Sequence, residues 1–217
     1  PADLTINGSR QFQEIDGFGV NINTASWNNG ELIPALNNLS DALGVKLWRV
    51  VIDNTDWEAI NDDDDPNTFN WTYYNTVYNS DQFNEFWNTI NYLNSKGHSA
   101  GVMLNFMGPV PSWMGRTSVN TAQEDEWVEM IASLVYYGKN NRSLQFSLVG
   151  PANEPDWAII NPPDGVEGPL INEFQYARIV DKLNTKLNSI GITDVRIVGP
   201  DTASVDTGVQ RYMPEMM

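Results

Sequence analysis

Residues 47–52 read Leu-Trp-Arg-Val-Val-Ile (LWRVVI), and this short run decides the fold class. A nearly continuous apolar run of this length is typical of a strand that is buried on both faces of a parallel sheet. Residues 99–106, 144–149 and 195–198 have the same character, and the segment 13–20 (QEIDGFGV) is a strand candidate that ends in glycines. The sequence therefore predicts five strands.

Helical periodicity fills the intervals between these strands. Apolar residues recur at helical spacing over residues 31–43, 83–93, 121–135 and 174–190. Thr121 is followed three residues later by Glu124, which is the pattern of a capping box. The alternation of strand and helix predicts a parallel sheet with right-handed crossovers, in one domain over residues 1–217 with no internal boundary.

The spacing of the strands favours one parallel architecture over another. Strand centres at Val50, Val102, Leu148 and Ile197 are 52, 46 and 49 residues apart. Eight such units need roughly 400 residues, which is within the range of a (β/α)8 barrel with insertions. We therefore expect an α/β fold that comprises strands 1–5 and four helices of a partial TIM barrel.

The rival architecture is a doubly wound sheet that binds a dinucleotide. Its fingerprint is G-x-G-x-x-G after the first strand. Gly17-Phe18-Gly19 supplies the first two glycines, but Ile22 occupies the third position. We interpret these glycines as a turn at the end of a strand.

Charge and composition exclude several classes of function. The chain has 28 Asp and Glu against 12 Lys and Arg, which gives a net charge of -16 and argues against nucleic acid or an anionic membrane as partner. Its apolar runs are too short to span a bilayer, and the absence of cysteine excludes thiol catalysis and disulfides. The 26 Asn, 8 Trp and 8 Tyr suit a neutral, hydroxyl-rich ligand, although Asn-rich loops of a secreted protein explain them equally well.

Polar and aromatic side chains follow every predicted strand, at the edge where such sheets carry out chemistry. We expect Asp53, Asp56 and Asp201 to hydrogen-bond sugar hydroxyls, with a solvated loop as the alternative for each. Trp113 is the candidate platform for stacking a sugar ring, with Trp27 and Trp157 as further candidates and ordinary packing as the alternative. The remaining strand-end candidates are Asn21, Asn23, Trp57, Asn105 and Asp156.

The most specific motif is Asn153-Glu154-Pro155, which follows the fourth predicted strand. Few cations surround Glu154 in the sequence, so partial burial would raise its pKa and let it donate a proton to a glycosidic oxygen. The amide of Asn153 can bind a neighbouring sugar hydroxyl, and Pro155 directs the chain out of the strand. A solvated loop glutamate between two turn formers is the alternative.

Three segments together resemble a known group of enzymes. Asn153-Glu154-Pro155, Gln13-x-Ile15-Asp16-Gly17-Phe18-Gly19 and Trp48-Arg49-Val50 are similar to retaining glycoside hydrolases of the clan with (β/α)8 barrels. The opening segment most resembles glycoside hydrolase family 30, with families 5 and 39 as competitors.

This resemblance implies roles for three residues, and it also implies a substrate class and a location for the protein. Glu154 would be the general acid/base, Asn153 would bind a sugar hydroxyl, and Arg49 would help to hold the nucleophile. It further implies a β-linked oligosaccharide or polysaccharide as substrate, no cofactor, and an extracellular or periplasmic location.

The chain departs from these families in one respect. They take their nucleophile from the end of strand 7, and retaining hydrolysis needs two carboxyl groups about 5–5.5 Å apart. We therefore expect residues 1–217 to be the amino-terminal part of a larger enzyme, inactive alone and completed by the remaining half of the barrel in the same or a second chain. A non-catalytic carbohydrate-binding or scaffold protein on a truncated barrel is the alternative.

No metal site is predicted. Asp62-Asp63-Asp64-Asp65 is followed by Pro66 and Asn67 rather than by the pattern of a calcium loop, so a solvated acidic turn is expected there. His98 is the single histidine and precedes the third strand, which favours a structural role and makes a zinc site implausible.

Overall fold

Five parallel strands form one sheet in the order in which they follow along the chain. The computed structural model describes residues 5, 7–12, 14–52, 57–157 and 167–217. The strands are β1 (Gly19–Asn23), β2 (Leu47–Ile52), β3 (Val102–Phe106), β4 (Leu148–Gly150) and β5 (Arg196–Ile197). The order β1-β2-β3-β4-β5 confirms the α/β class, and it lacks the reversal at which doubly wound sheets bind dinucleotides.

The helices of the described residues are more numerous than the four that were predicted. They are α1 (Ile33–Asn37), α2 (Trp71–Tyr78), α3 (Asp81–Ser95), α4 (Glu124–Tyr136), α5 (Glu173–Ser189), α6 (Val205–Thr207) and α7 (Met213–Met216). Four of these, α1, α3, α4 and α5, lie in the predicted segments. Helix α2 and the short helices α6 and α7 were not predicted.

Two local expectations are wrong. The first strand begins at Gly19 rather than near residue 13, because Gly19–Asn23 is the segment that pairs with β2. The capping box does not form: Thr121–Gln123 is a 3-10 turn, and no side chain caps the helix that follows it.

Alternate residues of the strands belong to two different faces of the sheet. Ile22, Val50, Leu104 and Val149 lie in one row across the sheet and are buried in the hydrophobic core that also contains the helices. The neighbouring row, on the opposite face, consists of Asn21, Arg49, Met103, Leu148 and Arg196. Burial of both faces of β2 was expected, but only one face is fully packed.

The second face of the sheet borders an open cavity of about 390 Å³. Leu47, Arg49, Met103 and Leu148 line this cavity, and Leu47 is 39% exposed. At the carboxyl ends of the strands this face becomes polar, and the loops that leave it carry the candidate residues.

The start of the sheet depends on one close approach between two segments. A Cβ atom at Gly101, just before β3, would lie 1.9 Å from the carbonyl oxygen of Lys46, just before β2. We expect Gly101→Ala to lower the free energy of unfolding by about 1–3 kcal/mol, because the strands must separate to admit the methyl group. Urea denaturation measures the change. Gly8→Ala is the control, since nothing lies within 4 Å of that position, and equal losses in the two variants would contradict the packing described here.

Candidate functional site

The guanidinium group of Arg49, on β2, contacts side chains at or after the ends of the next three strands. Its Nη2 atom lies 2.6 Å from Oδ1 of Asn105, 2.5 Å from Oδ1 of Asn153 and 2.7 Å from Oδ2 of Asp201. These partners come from β3, from the loop after β4 and from the loop after β5. Four of the candidates from the sequence are therefore brought together: Arg49, Asn105, Asn153 and Asp201.

The hydrogen bonds of this network are shared rather than independent. Nη2 carries two protons and faces three acceptors, so at least one proton is divided between two oxygens. The negative charge of Asp201 balances the positive charge of Arg49 in an ion pair whose two side chains are 20% and 35% exposed. Solvent screens such a pair in part, so its main effect is to fix geometry.

Asn105, one of the strand-end candidates, is a buried member of the network. Its Nδ2 atom lies 3.4 Å from Oδ2 of Asp201, and its residue is fully buried. Gly150 on β4 leaves the necessary room, because a Cβ atom there would lie 2.6 Å from this Nδ2. In the sequence, Asn105 is marked as a site residue by being the single amide in the otherwise apolar strand Val102–Phe106.

The side chain of Asn153 is held at both ends. Its Oδ1 accepts from Arg49, and its Nδ2 donates to the backbone carbonyl of Glu167 at 3.0 Å. Its backbone N–H donates to the carbonyl of Phe106 at the end of β3. Gly168 packs directly against the Asn153 backbone, where a Cβ atom would lie 1.7 Å from the carbonyl oxygen. The orientation of this amide is therefore fixed by the protein.

Glu154 adopts an uncommon backbone conformation beside this network. Its φ of 40° lies in the left-handed region, which is rarely occupied by residues other than glycine. Its N–H donates to the carbonyl of Asp201 at 2.8 Å, and its carbonyl accepts from the N–H of Trp157 at 2.9 Å. These two backbone bonds hold the turn in place.

The pKa of the Glu154 carboxyl is raised above its ordinary value. The first cause is desolvation by partial burial, and the second is the negative charge of Glu167, Asp156 and Asp201. The positive charge of Arg49 opposes this shift. The sequence predicts this upward shift of the pKa. Because of it, Glu154 keeps its proton to a higher pH than an exposed glutamate does.

The three tryptophan candidates have different environments. Trp27 is wrong as a sugar platform, because its ring is buried and packs against Tyr92 with centroids 5.9 Å apart. Trp113 is partly buried against the core, and its Nε1 donates to the carbonyl of Glu58 at 2.7 Å. Trp157 is 37% exposed and follows Glu154 in the same turn.

Among the aspartates, Asp53 and Asp56 lie outside the described residues. Asp156 is fastened to the loop after β5, since its carboxylate accepts from the N–H groups of Ala203 at 2.8 Å and Ser204 at 3.3 Å. It therefore joins the loops that carry Glu154 and Asp201.

The remaining polar candidates are structural. His98 hydrogen-bonds to the hydroxyl of Ser40 at 2.8 Å and packs against Trp48. Within the acidic run, Asp65 caps its own turn by accepting from Asn67 and Thr68, whereas Asp62 is partly buried and is not part of a solvated turn. Across the described ranges, no three His, Asp or Glu side chains are arranged as ligands of a metal ion.

Comparisons with known proteins establish the fold alone. No family model and no curated protein matches the chain. The crystal structure of a conserved exported protein from Bacteroides fragilis matches with a TM-score of 0.58 and 17% sequence identity over 92% of this chain. The match covers 46% of that protein, so the chain spans about half the length of the structure it matches. In the part of this chain that the structure describes, no helix has the length and apolar character needed to cross a membrane.

The charges around Glu154 can be tested one at a time. We expect Asp201→Asn to lower the pKa of Glu154, because a repelling charge is removed, and Arg49→Met to raise it, each by roughly one unit or less. Carbon-13 NMR titration of labelled glutamate carboxyls measures the pKa, with the signal assigned through Glu154→Gln. Asp206→Asn, in exposed α6, should leave the pKa unchanged, and a shift of opposite sign in either test variant would contradict the electrostatics described here.

Proposed function

We propose that the chain is the amino-terminal half of a (β/α)8 barrel in a retaining glycoside hydrolase, with Glu154 as its general acid/base. The observation that carries this proposal is the position of Glu154, a carboxyl of raised pKa at the carboxyl end of β4 beside the Arg49 network. A proton-donating carboxyl at a strand end is what cleavage of a glycosidic bond requires.

The sheet supports the barrel part of the proposal. Barrel strands pair in chain order and carry their helices on the outer side; β1–β5 likewise pair in chain order, and one face of their sheet shares a core with the helices. In a complete barrel the open face with Leu47, Met103 and Leu148 would point inward, where three further strands would cover it. The protein that matches in structure is about twice as long, which leaves room for these strands.

The proposed reaction assigns two tasks to Glu154. It protonates the leaving oxygen as the glycosidic bond breaks, and it then removes a proton from the water that releases the glycosyl-enzyme intermediate. The remaining half of the barrel would supply the nucleophilic carboxylate, and Arg49 would help to hold it. Asn153 would hydrogen-bond a sugar hydroxyl, which its fixed orientation makes possible without further ordering.

The net charge of the chain bears on the substrate class, and the structural match bears on the location of the protein. A net charge of -16 favours a neutral β-linked glycan over an anionic one. The matching protein is described as exported, which supports an extracellular or periplasmic location for this one.

The first test is turnover by the natural polypeptide that contains residues 1–217 and the remaining strands. We expect it to hydrolyse aryl β-glycosides with retention at the anomeric carbon, and we expect Glu154→Gln to lower kcat/KM about 10²- to 10⁴-fold because the proton donor is lost. Product analysis by NMR gives the stereochemistry, and Glu215→Gln at an exposed site is the control. No hydrolysis across a panel of β-linked glycans would overturn the enzyme proposal, and sugar binding that survives Glu154→Gln without turnover would support the non-catalytic alternative.

The acid/base role has a sharper test in a second variant. Glu154→Ala should still cleave dinitrophenyl glycosides, because such a good leaving group departs without a proton. Release of the intermediate should then be slow, and added azide should accelerate it by attacking without base assistance and forming a glycosyl azide. Failure of azide to restore turnover, with the azide product absent, would remove Glu154 from the acid/base role.

A further inference from the structure

A second group of carboxyls lies inside the protein, separate from the Arg49 network. It consists of Glu58 and Asp62, in the segment between β2 and α2, and of Glu126 and Glu129 in α4, and we call it the acidic cluster. Glu58 and Glu129 are 0% exposed and Glu126 is 7% exposed. Burial of so many acidic groups in one place requires compensation, because isolated carboxylates are strongly disfavoured away from water.

The carboxyl oxygens of the cluster have few donors. Tyr74 donates its hydroxyl to Oε2 of Glu58 at 2.8 Å. In the described part of the chain, no N–H or hydroxyl group reaches six other buried oxygens of the cluster. These are Oε1 of Glu58, both oxygens of Asp62, Oε2 of Glu126 and both oxygens of Glu129.

The surroundings of the cluster do not supply enough positive charge. The titratable groups that act on it are Asp63 from its own loop, Tyr74 and Tyr78 from α2, Asp125 from α4 and Lys186 from α5. Lys186 is the cation of this set, and its Nζ also donates to the carbonyl of Pro66 at 2.9 Å. One ammonium group cannot balance three buried carboxylates and a fourth that is partly buried.

The cluster consists of two carboxyl–carboxyl pairs. The side chain of Asp62 lies near that of Glu58, and the side chain of Glu126 lies near that of Glu129, so each carboxyl acts on the pKa of its neighbour. A hydrogen bond between two carboxyl groups needs a proton on one of them, because an ionised carboxylate is only an acceptor. Glu126 lies in the first turn of α4, where the helix dipole favours the negative charge, so the proton of that pair belongs on Glu129.

We propose that each pair shares one proton at neutral pH, and that these two protons remove the repulsion between the segment after β2 and α4, which makes the packing of this segment on α4 a pH-sensitive clamp. Burial raises the pKa of Glu58 to about 8 and that of Glu129 to about 9, while the pKa values of Asp62 and Glu126 are raised less. The folded protein therefore keeps two protons that the unfolded chain releases near the ordinary pKa of glutamate.

The clamp is connected to the loops near the candidate site. The backbone carbonyl of Glu58 accepts the indole N–H of Trp113, which follows β3, and Trp57 packs against Phe106 at the end of β3. Loss of the shared protons would place like charges together in this region. We therefore expect the carboxyl edge of β2 and β3 to loosen as the pH rises.

The sign of the effect on stability follows from proton binding. Stabilisation by a raised pKa is complete below the ordinary pKa of glutamate and is lost as the pH rises toward 8 for Glu58 and toward 9 for Glu129. With two extra protons in the folded state, the unfolding equilibrium constant should increase by up to about 100-fold for each pH unit between pH 5.5 and 7.5.

The experiment is urea denaturation of the 217-residue chain at several pH values in this range. We expect the unfolding constant of Glu58→Gln and of Glu129→Gln to change only about tenfold for each pH unit. Each variant replaces a proton-bearing carboxyl with an amide, which does not titrate. Glu215→Gln is the matched control at an exposed site and should keep the full slope. An unfolding constant of the unsubstituted chain that does not change over this range would overturn the proposal.

A second measurement keeps the test valid if a variant does not fold. Infrared spectra of the unsubstituted protein at pH 7 should show the carbonyl band of protonated carboxylic acids, which ordinary exposed carboxyls lack at that pH. Absence of this band would overturn the proposal. Stabilisation by added calcium at pH 7, abolished in both glutamine variants, would also overturn it, because a bound cation would then compensate the charge.

Discussion

The carboxyl edge of the sheet depends on one guanidinium group in a chain with few cations. Arg49 attracts a buried amide on β3, an amide after β4 and a carboxylate after β5, so these strand ends cannot move independently. The loop that carries Asp201 in turn fixes the backbone of Glu154 through a hydrogen bond. The unusual φ of Glu154 is thus maintained by contacts that begin at β2, which shows how a local strain is supported by distant parts of the fold.

Sequence patterns predicted the parts of the fold that depend on short-range periodicity. The apolar runs located β2 and β3, and the helical spacing located α3 and α5. Helix α2 was missed because its buried residues are tyrosines beside a polar, acid-rich segment. The first strand was misplaced because its alternation of asparagine with one buried isoleucine resembles a loop until its pairing with β2 is known.

The candidate site was predictable to the extent that strand ends meet at one edge. Asn153 and Asp201 were selected on that principle and Arg49 through the family resemblance, and the three residues do converge. The burial of the Trp27 ring could not be predicted, because its packing partner Tyr92 lies 65 positions further along the chain. The same limit applies to acidic groups: Glu124, with Arg178 and Lys182 as partners, has a lowered pKa, whereas Glu129 in the same helix has a raised one. Only the tertiary environment separates these two glutamates.

The unreversed strand order has a consequence for the synthesis of the protein. Each strand after β1 pairs with the strand that precedes it in the chain, so its partner has already left the ribosome when it emerges. No strand has to wait for a segment that is translated much later, and the growing sheet exposes one fresh edge at a time. This topology favours stepwise folding during translation, in which an unpaired edge is short-lived until the next βα unit arrives.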